Sequence, residues 1–280
     1  MHSRKPDKKT RRQLLKKAGV PPELLDTCDA IFETVLTGEY LLHKEAEPLS
    51  HPIMVLGHIL ECALVELKSG NLTMEDVFHT ALLALLHDIC SYTRITEETI
   101  DATSVEQRSS LIAENRKRVI RHMEDGAKMA RTVLHDFNDK HHRTIVSETA
   151  IEKICAIIAI HDNPKIGIPI PKDNHMAVML READRLDMIS PSGVLIDLQR
   201  KQGNSSAPYP DNITEQVAQV QSNLQWFREE RLLYNDRSDG PFCDASTFFR
   251  ISQAYAIYER YLHHWRKTAS DLGIPFDYGK

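Results

Sequence analysis

The chain has 280 residues, 41% hydrophobic and 27% charged, the proportions of an ordinary globular protein with ample core for one large domain or a domain with an appendage. Its net charge of −5 argues against a general nucleic-acid binder, whose domains carry net positive charge, without excluding a nucleotide substrate. Five cysteines with no CxxC pair read as reduced thiols; no apolar run reaches about 18 residues and none follows the basic start, so a cytoplasmic protein without membrane span or secretory signal is expected.

Residues 1–20 form a basic N-terminal segment, with Arg4, Lys5, Lys8, Lys9, Arg11, Arg12, Lys16 and Lys17, which reads as a solvated, partly frayed tail. Gly19-Val20-Pro21-Pro22 stops it and restarts a helix over 22–36, whose Leu24, Leu25, Cys28, Ile31, Phe32 and Val35 recur at helical steps and so face a core. After a connector at 38–48, a helix over 52–68 carries His58; His51, seven residues earlier, shares its face, but a histidine at a helix end reads as solvent-exposed. Ser69-Gly70-Asn71 breaks the chain, and Thr73 with Asp76 three residues on forms a cap. The helix that follows holds His79, read as peripheral, and ends in Ala81-Leu82-Leu83-Ala84-Leu85-Leu86-His87-Asp88-Ile89.

Residues 91–104 read as a polar loop or short helix over the site. A long helix over 105–136 carries His122 behind a basic cluster in which Arg121 is the one cation with a claim on phosphate. Residues 139–143 turn, and 147–161 form an apolar helix ending at His161. Three prolines and a glycine bar an α-helix from 162–171, which should form a substrate loop at the mouth of the site. Asp173 or Asn174 caps the helix presenting Asp184; after a break at 203–210, two amphipathic helices are expected over 213–235 and 245–268, with Phe248, Tyr255, Tyr258, Leu262 and Trp265 covering the core or a partner subunit. The expected organisation is therefore all-α, with a main domain over 21–202 and a helical pair over 211–280 packed on it.

Leu, Ala and Ile on every side of 81–86 mean that His87 and Asp88 are carried into the interior. A buried imidazole and carboxylate need compensation, by another charge or by a metal ion. His58, His122, His161 and Asp184 all lie on or at the end of apolar helical segments, so several helices can aim imidazoles and carboxylates at one point, as bundles do when they build dinuclear sites. Neutral imidazoles with carboxylates suit two divalent transition ions, Fe, Mn, Co, Ni or Zn, better than Ca or Cu(I).

The order His58, His87-Asp88, His122, His161, Asp184 resembles the HD superfamily, an all-α group defined by H…HD…H…H…D, and "LLHDI", "HMEDGAKMA" and "READRLD" resemble its motif neighbourhoods. The resemblance implies one ion on His58, His87, Asp88 and Asp184 and a second on His122 and His161, with Asp88 bridging; Asp88 and His122 would be the catalytic pair. It also implies a metal-dependent phosphohydrolase acting on a small phosphorylated substrate, most simply a nucleotide, with Arg94, Lys165 and Arg185 as phosphate contacts. Two departures stand out. Ser91 replaces the lysine of the HDxGK pattern, and Asp162 stands where cyclic-dinucleotide phosphodiesterases of the superfamily have a second histidine. The alternative is a non-haem di-iron oxygenase, since proteins similar to myo-inositol oxygenase hold two irons on the same kind of ligand set.

Overall fold

The computed structural model describes residues 8–37, 50–90, 104–201, 212–232 and 248–276. Among them ten α-helices occur and no strand, so the fold is all-α. The first two helices, α1 (Lys8–Lys17) and α2 (Leu25–Thr37), pack on each other. Here the basic start departs from expectation: residues 8–17 are not a frayed tail. Leu15 is buried, and so is Arg11, whose Nε donates to Asp29 Oδ1 at 3.0 Å with Glu33 at 3.3 Å. Lys8, Lys9, Lys16 and Lys17 stay in water, so a single apolar side and one internal ion pair dock a helix that composition alone would leave loose.

Helices α3 (Ser50–Lys68) and α4 (Met74–Leu86) form a hairpin. Its turn is set by Gly70 in the left-handed region (φ 77°) and by a full capping box, Thr73 accepting from the Asp76 N–H while Asp76 accepts from Thr73. Every residue from Val77 to Leu86 is buried. The long α5 (Val105–Lys140) runs four residues past its expected end and packs on α6 (Glu148–Ile158), whose N-cap is Ser147. Beyond α6 the chain does not stay wholly irregular. Asn163–Ile166 forms one 3₁₀ turn, because Pro164 sits in its first turn where no amide hydrogen is required. Gly167, at φ 78°, ends it.

Helix α7 (His175–Ile189), capped by Asn174, is buried along nearly its whole length and packs on α3, α4 and the three helices that follow: α8 (Pro191–Lys201), α9 (Ile213–Leu232) and α10 (Ser252–Asp271). The last helix starts at Ser252, later than periodicity suggests. Glu182 on α7 accepts the N–H groups of Arg250 and Ile251 at 2.8 and 3.0 Å, which holds the preceding chain extended. Phe248 therefore lies before the helix and stacks on Phe227, while Tyr258, Leu262 and Trp265 remain on its buried side. The connector at 38–48, most of the 91–104 segment and the break at 203–210 lie outside the described residues. No helix among the described residues is long and apolar enough to cross a membrane.

The joint between α7 and α8 is tight. Ser190 Oγ donates to Asp187 Oδ1 at 3.0 Å and accepts from the Gly193 N–H at 2.9 Å, and a Cβ on Gly193 would stand 1.7 Å from the Asp187 carbonyl oxygen. Gly193→Ala is thus expected to cost about 1–3 kcal/mol, a loss of several degrees in thermal unfolding. A variant that melts with the parent would contradict this packing.

Candidate metal centre

Two groups of metal-competent donors lie side by side: His51, His87 and Asp184 in one, Asp88, His122 and His161 in the other. His87 joins them, its ring centroid 5.3 Å from that of His51 and 5.5 Å from that of His161. His87 is the C-cap of α4, and His161 lies just past α6, where the helix has given way to turns. His122 comes from the middle of α5, and Asp184 from α7. All six are buried or nearly so.

The imidazoles share one orientation. His87 Nδ1 donates to the Ala84 carbonyl at 2.9 Å, His161 Nδ1 to the Ile158 carbonyl at 2.7 Å and His122 Nδ1 to the Cys90 carbonyl, while His51 Nδ1 donates to Asp187 Oδ2 at 2.7 Å. Carbonyl oxygens only accept, so Nδ1 carries the hydrogen and a neutral ring leaves Nε2 as a bare lone pair. These lone pairs face one another: His51 Nε2 is 3.3 Å from His87 Nε2, and His122 Nε2 is 3.3 Å from His161 Nε2. Two lone pairs at hydrogen-bond distance repel unless a cation or a proton stands between them. With donors about 2.0–2.2 Å from a shared ion, ligand atoms lie roughly 3–4 Å apart, and these do.

Asp88 divides its oxygens between the groups. Oδ1 is 3.1 Å from His122 Nε2 and 3.3 Å from His161 Nε2, whereas Oδ2 is 3.5 Å from His51 Nε2. Asp184 Oδ1 lies 3.4 Å from His51 Nε2 and 3.9 Å from His87 Nε2. Burial opposes ionisation of both carboxylates. The surrounding imidazoles, and Arg185 beside Asp184, outweigh it and hold both well below the usual carboxylate range. Burial likewise pushes His87 below the ordinary imidazole value, while at His161 the carboxylates of Asp162 and Asp88 overcome burial and push it up.

His58, expected among the ligands, lies in neither group. Its Nδ1 donates to the Ala183 carbonyl at 3.3 Å and its Nε2 accepts from the Tyr261 hydroxyl at 2.8 Å, so both nitrogens are engaged away from the two groups. Burial pushes it below the ordinary imidazole value. His51 stands instead beside His87 and Asp184 as the fourth imidazole of the two groups. His51 and His58 lie two helical turns apart on one side of α3, so spacing alone gives no choice between them.

Of the three cations expected to meet phosphate, Arg185 departs from the expected placement. Arg94 lies outside the described residues. Lys165 ion-pairs with Asp162 Oδ2, itself 3.9 Å from both His122 and His161 Nε2, and remains partly open to solvent. Arg185 is not at a mouth: its side chain is 1% exposed, bound to Asp184 and, through Nε at 2.9 Å, to Glu230. His79 is buried but belongs to neither group, and Arg121, His141 and His142 are exposed.

The HD-domain family model matches residues 49–189, half of the chain, and the chain belongs to that family. Its members are mostly metal-dependent hydrolases and bind divalent metals. Searches of curated proteins and of solved structures return no match. The matched region holds all six converging donors and Asp187, and ends before α8.

Removing His51 should therefore strip an ion that removing His58 leaves in place. His51→Ala is expected to lose one equivalent of Mn(II) or Co(II) by elemental analysis, Asp187→Asn to bind about 10–100-fold more weakly, and His58→Ala to keep its metal at lower stability. Equal metal loss in His51→Ala and His58→Ala would undo the assignment. Protons compete for the same Nε2 atoms, so affinity should fall as pH drops and metal uptake should release protons in weakly buffered solution; proton-neutral uptake would speak against neutral imidazole ligands.

Proposed function

We propose that the protein is a metal-dependent phosphohydrolase with a dinuclear centre, acting on a small phosphorylated substrate, most simply a nucleotide. The observation that carries the reading is the convergence of four Nε2 lone pairs and two carboxylates on buried or nearly buried side chains, with a lysine beside them. His51, His87 and Asp184 would hold one ion, and His122 and His161 the other, with Asp88 spanning both through its separate oxygens. Divalent ions held there would draw charge from phosphoryl oxygens and ionise a water molecule near neutral pH. Two carboxylates against two divalent ions leave a net charge of about +2, suited to a polyanionic group.

The chain's own residues do the rest. The Nδ1 bonds to Ala84, Cys90, Ile158 and Asp187 fix the ring planes before anything binds, so little reorganisation accompanies reaction. Lys165, held by Asp162 near His122 and His161, would meet a phosphate there. Where the HDxGK pattern has its lysine this chain has Ser91, and Lys165 would take over the work of that side chain. The burial of the donors limits access by bulk water, which strengthens each charge interaction inside.

Hydrolysis needs Lewis acidity but no electron transfer, which fixes the decisive assay. Mn- or Co-loaded protein, tested without oxygen on a panel of nucleotides and phosphate esters, is expected to release phosphate or a phosphomonoester at an undiminished rate. Lys165→Ala should raise KM by about tenfold or more with a smaller effect on kcat, the pattern of lost binding to a charged group. Turnover that requires iron and consumes oxygen, with Mn-loaded protein inert, would replace this reading with the di-iron oxygenase one.

A further inference from the structure

Outside the HD-domain region, α9 sends one carboxylate into the layer behind the metal donors. Glu230 is 3% exposed, and its two oxygens take one arginine each: Oε1 accepts from Arg181 Nε at 2.7 Å, Oε2 from Arg185 Nε at 2.9 Å. Arg181 and Arg185 are four residues apart on α7 and so share a face. Each guanidinium lies over an aromatic ring of the C-terminal segment, Arg181 over Phe248 at 4.1 Å and Arg185 over Trp226 at 4.4 Å. Ring and carboxylate together fix the plane and reach of Arg185. From that pose its Nη1 meets Asp184 Oδ2 and its Nη2 stands 3.7 Å from Asp162 Oδ1.

The consequence falls on Asp184. Its Oδ1 faces His51 and His87, and only Oδ2 is given to Arg185. An arginine free to turn forms a two-pronged bond with both oxygens of a carboxylate, the preferred geometry of that pair, and would withdraw Oδ1 from the metal position. Resting on the metal reading above, we propose that Glu230 is a positioning residue for the metal centre. It restrains Arg185 so that one oxygen of Asp184 stays available to an ion. The C-terminal helices are thus part of the working site, not only a cover.

The test uses the full chain and Co(II) as the probe, titrated by its visible absorption. Glu230→Gln should weaken one of two binding steps about 10–100-fold and alter the cobalt spectrum, as loss of an outer-layer partner does. Arg185→Lys and Arg181→Lys supply a matched pair on one helix, equally buried and bonded to the same glutamate, differing in their link to Asp184. Arg185→Lys is expected to reproduce the weakened step, and Arg181→Lys to stay within about threefold of the parent. If Glu230→Gln does not fold, this pair decides. Parental affinity and spectrum in Glu230→Gln, or equal effects in the two lysine variants, would overturn the inference. A parent that binds no cobalt would overturn the metal reading with it.

Discussion

Four imidazole nitrogens and the oxygens of two carboxylates are packed within 3.1–3.9 Å of their neighbours in a space from which water is largely excluded. Such a set is tolerable only with positive charge among it, as protons or as metal ions, because unpaired lone pairs and carboxylates cannot be desolvated at small cost. Much of the fold serves this constraint. The apolar run of α4 carries His87 and Asp88 inward, α6 ends in time to leave His161 at the same level, and α7 is sealed on all sides so that Asp184 and Asp187 stay fixed.

The helices were largely legible because they are amphipathic or wholly apolar, and both patterns survive without knowledge of partners. Thr73 with Asp76, Ser147 and Asn174 marked helix starts through side chains that bond to local amides. The N-terminal helix was hidden because its docking depends on Arg11 finding Asp29 and Glu33, a tertiary pairing that a run of cations does not announce. The late start of α10 was hidden for a similar reason, since it is Glu182, far away in sequence, that takes the two amide hydrogens.

At the site, motif spacing points to His87-Asp88, His122, His161 and Asp184, which the fold brings together, and to His58 on α3, which it does not. His51 and His58 share a helical face, so periodicity cannot separate them; only depth along the hairpin does. His58 is occupied by Tyr261 from α10, a partner that no local pattern reveals. The enclosure of Arg185 is not legible locally, because nearness in sequence to Asp184 says nothing about whether a side chain opens to solvent or is enclosed by Glu230 and Trp226. The outer layer of the centre is written in long-range contacts, the inner one in local motifs.

Two of the imidazole anchors are carbonyls from helix C-terminal turns, Ala84 near the end of α4 and Ile158 at the end of α6. Both helices therefore point their negative ends, worth roughly half an elementary charge each, at the same pocket that holds Asp88 and Asp184. With Asp88 and Asp184 held ionised, these helix ends add to a field that disfavours a further anion there. The backbone thus adds its own field to that of the two carboxylates, and a positive charge between them, proton or divalent ion, is favoured by the helices as well as by the side chains.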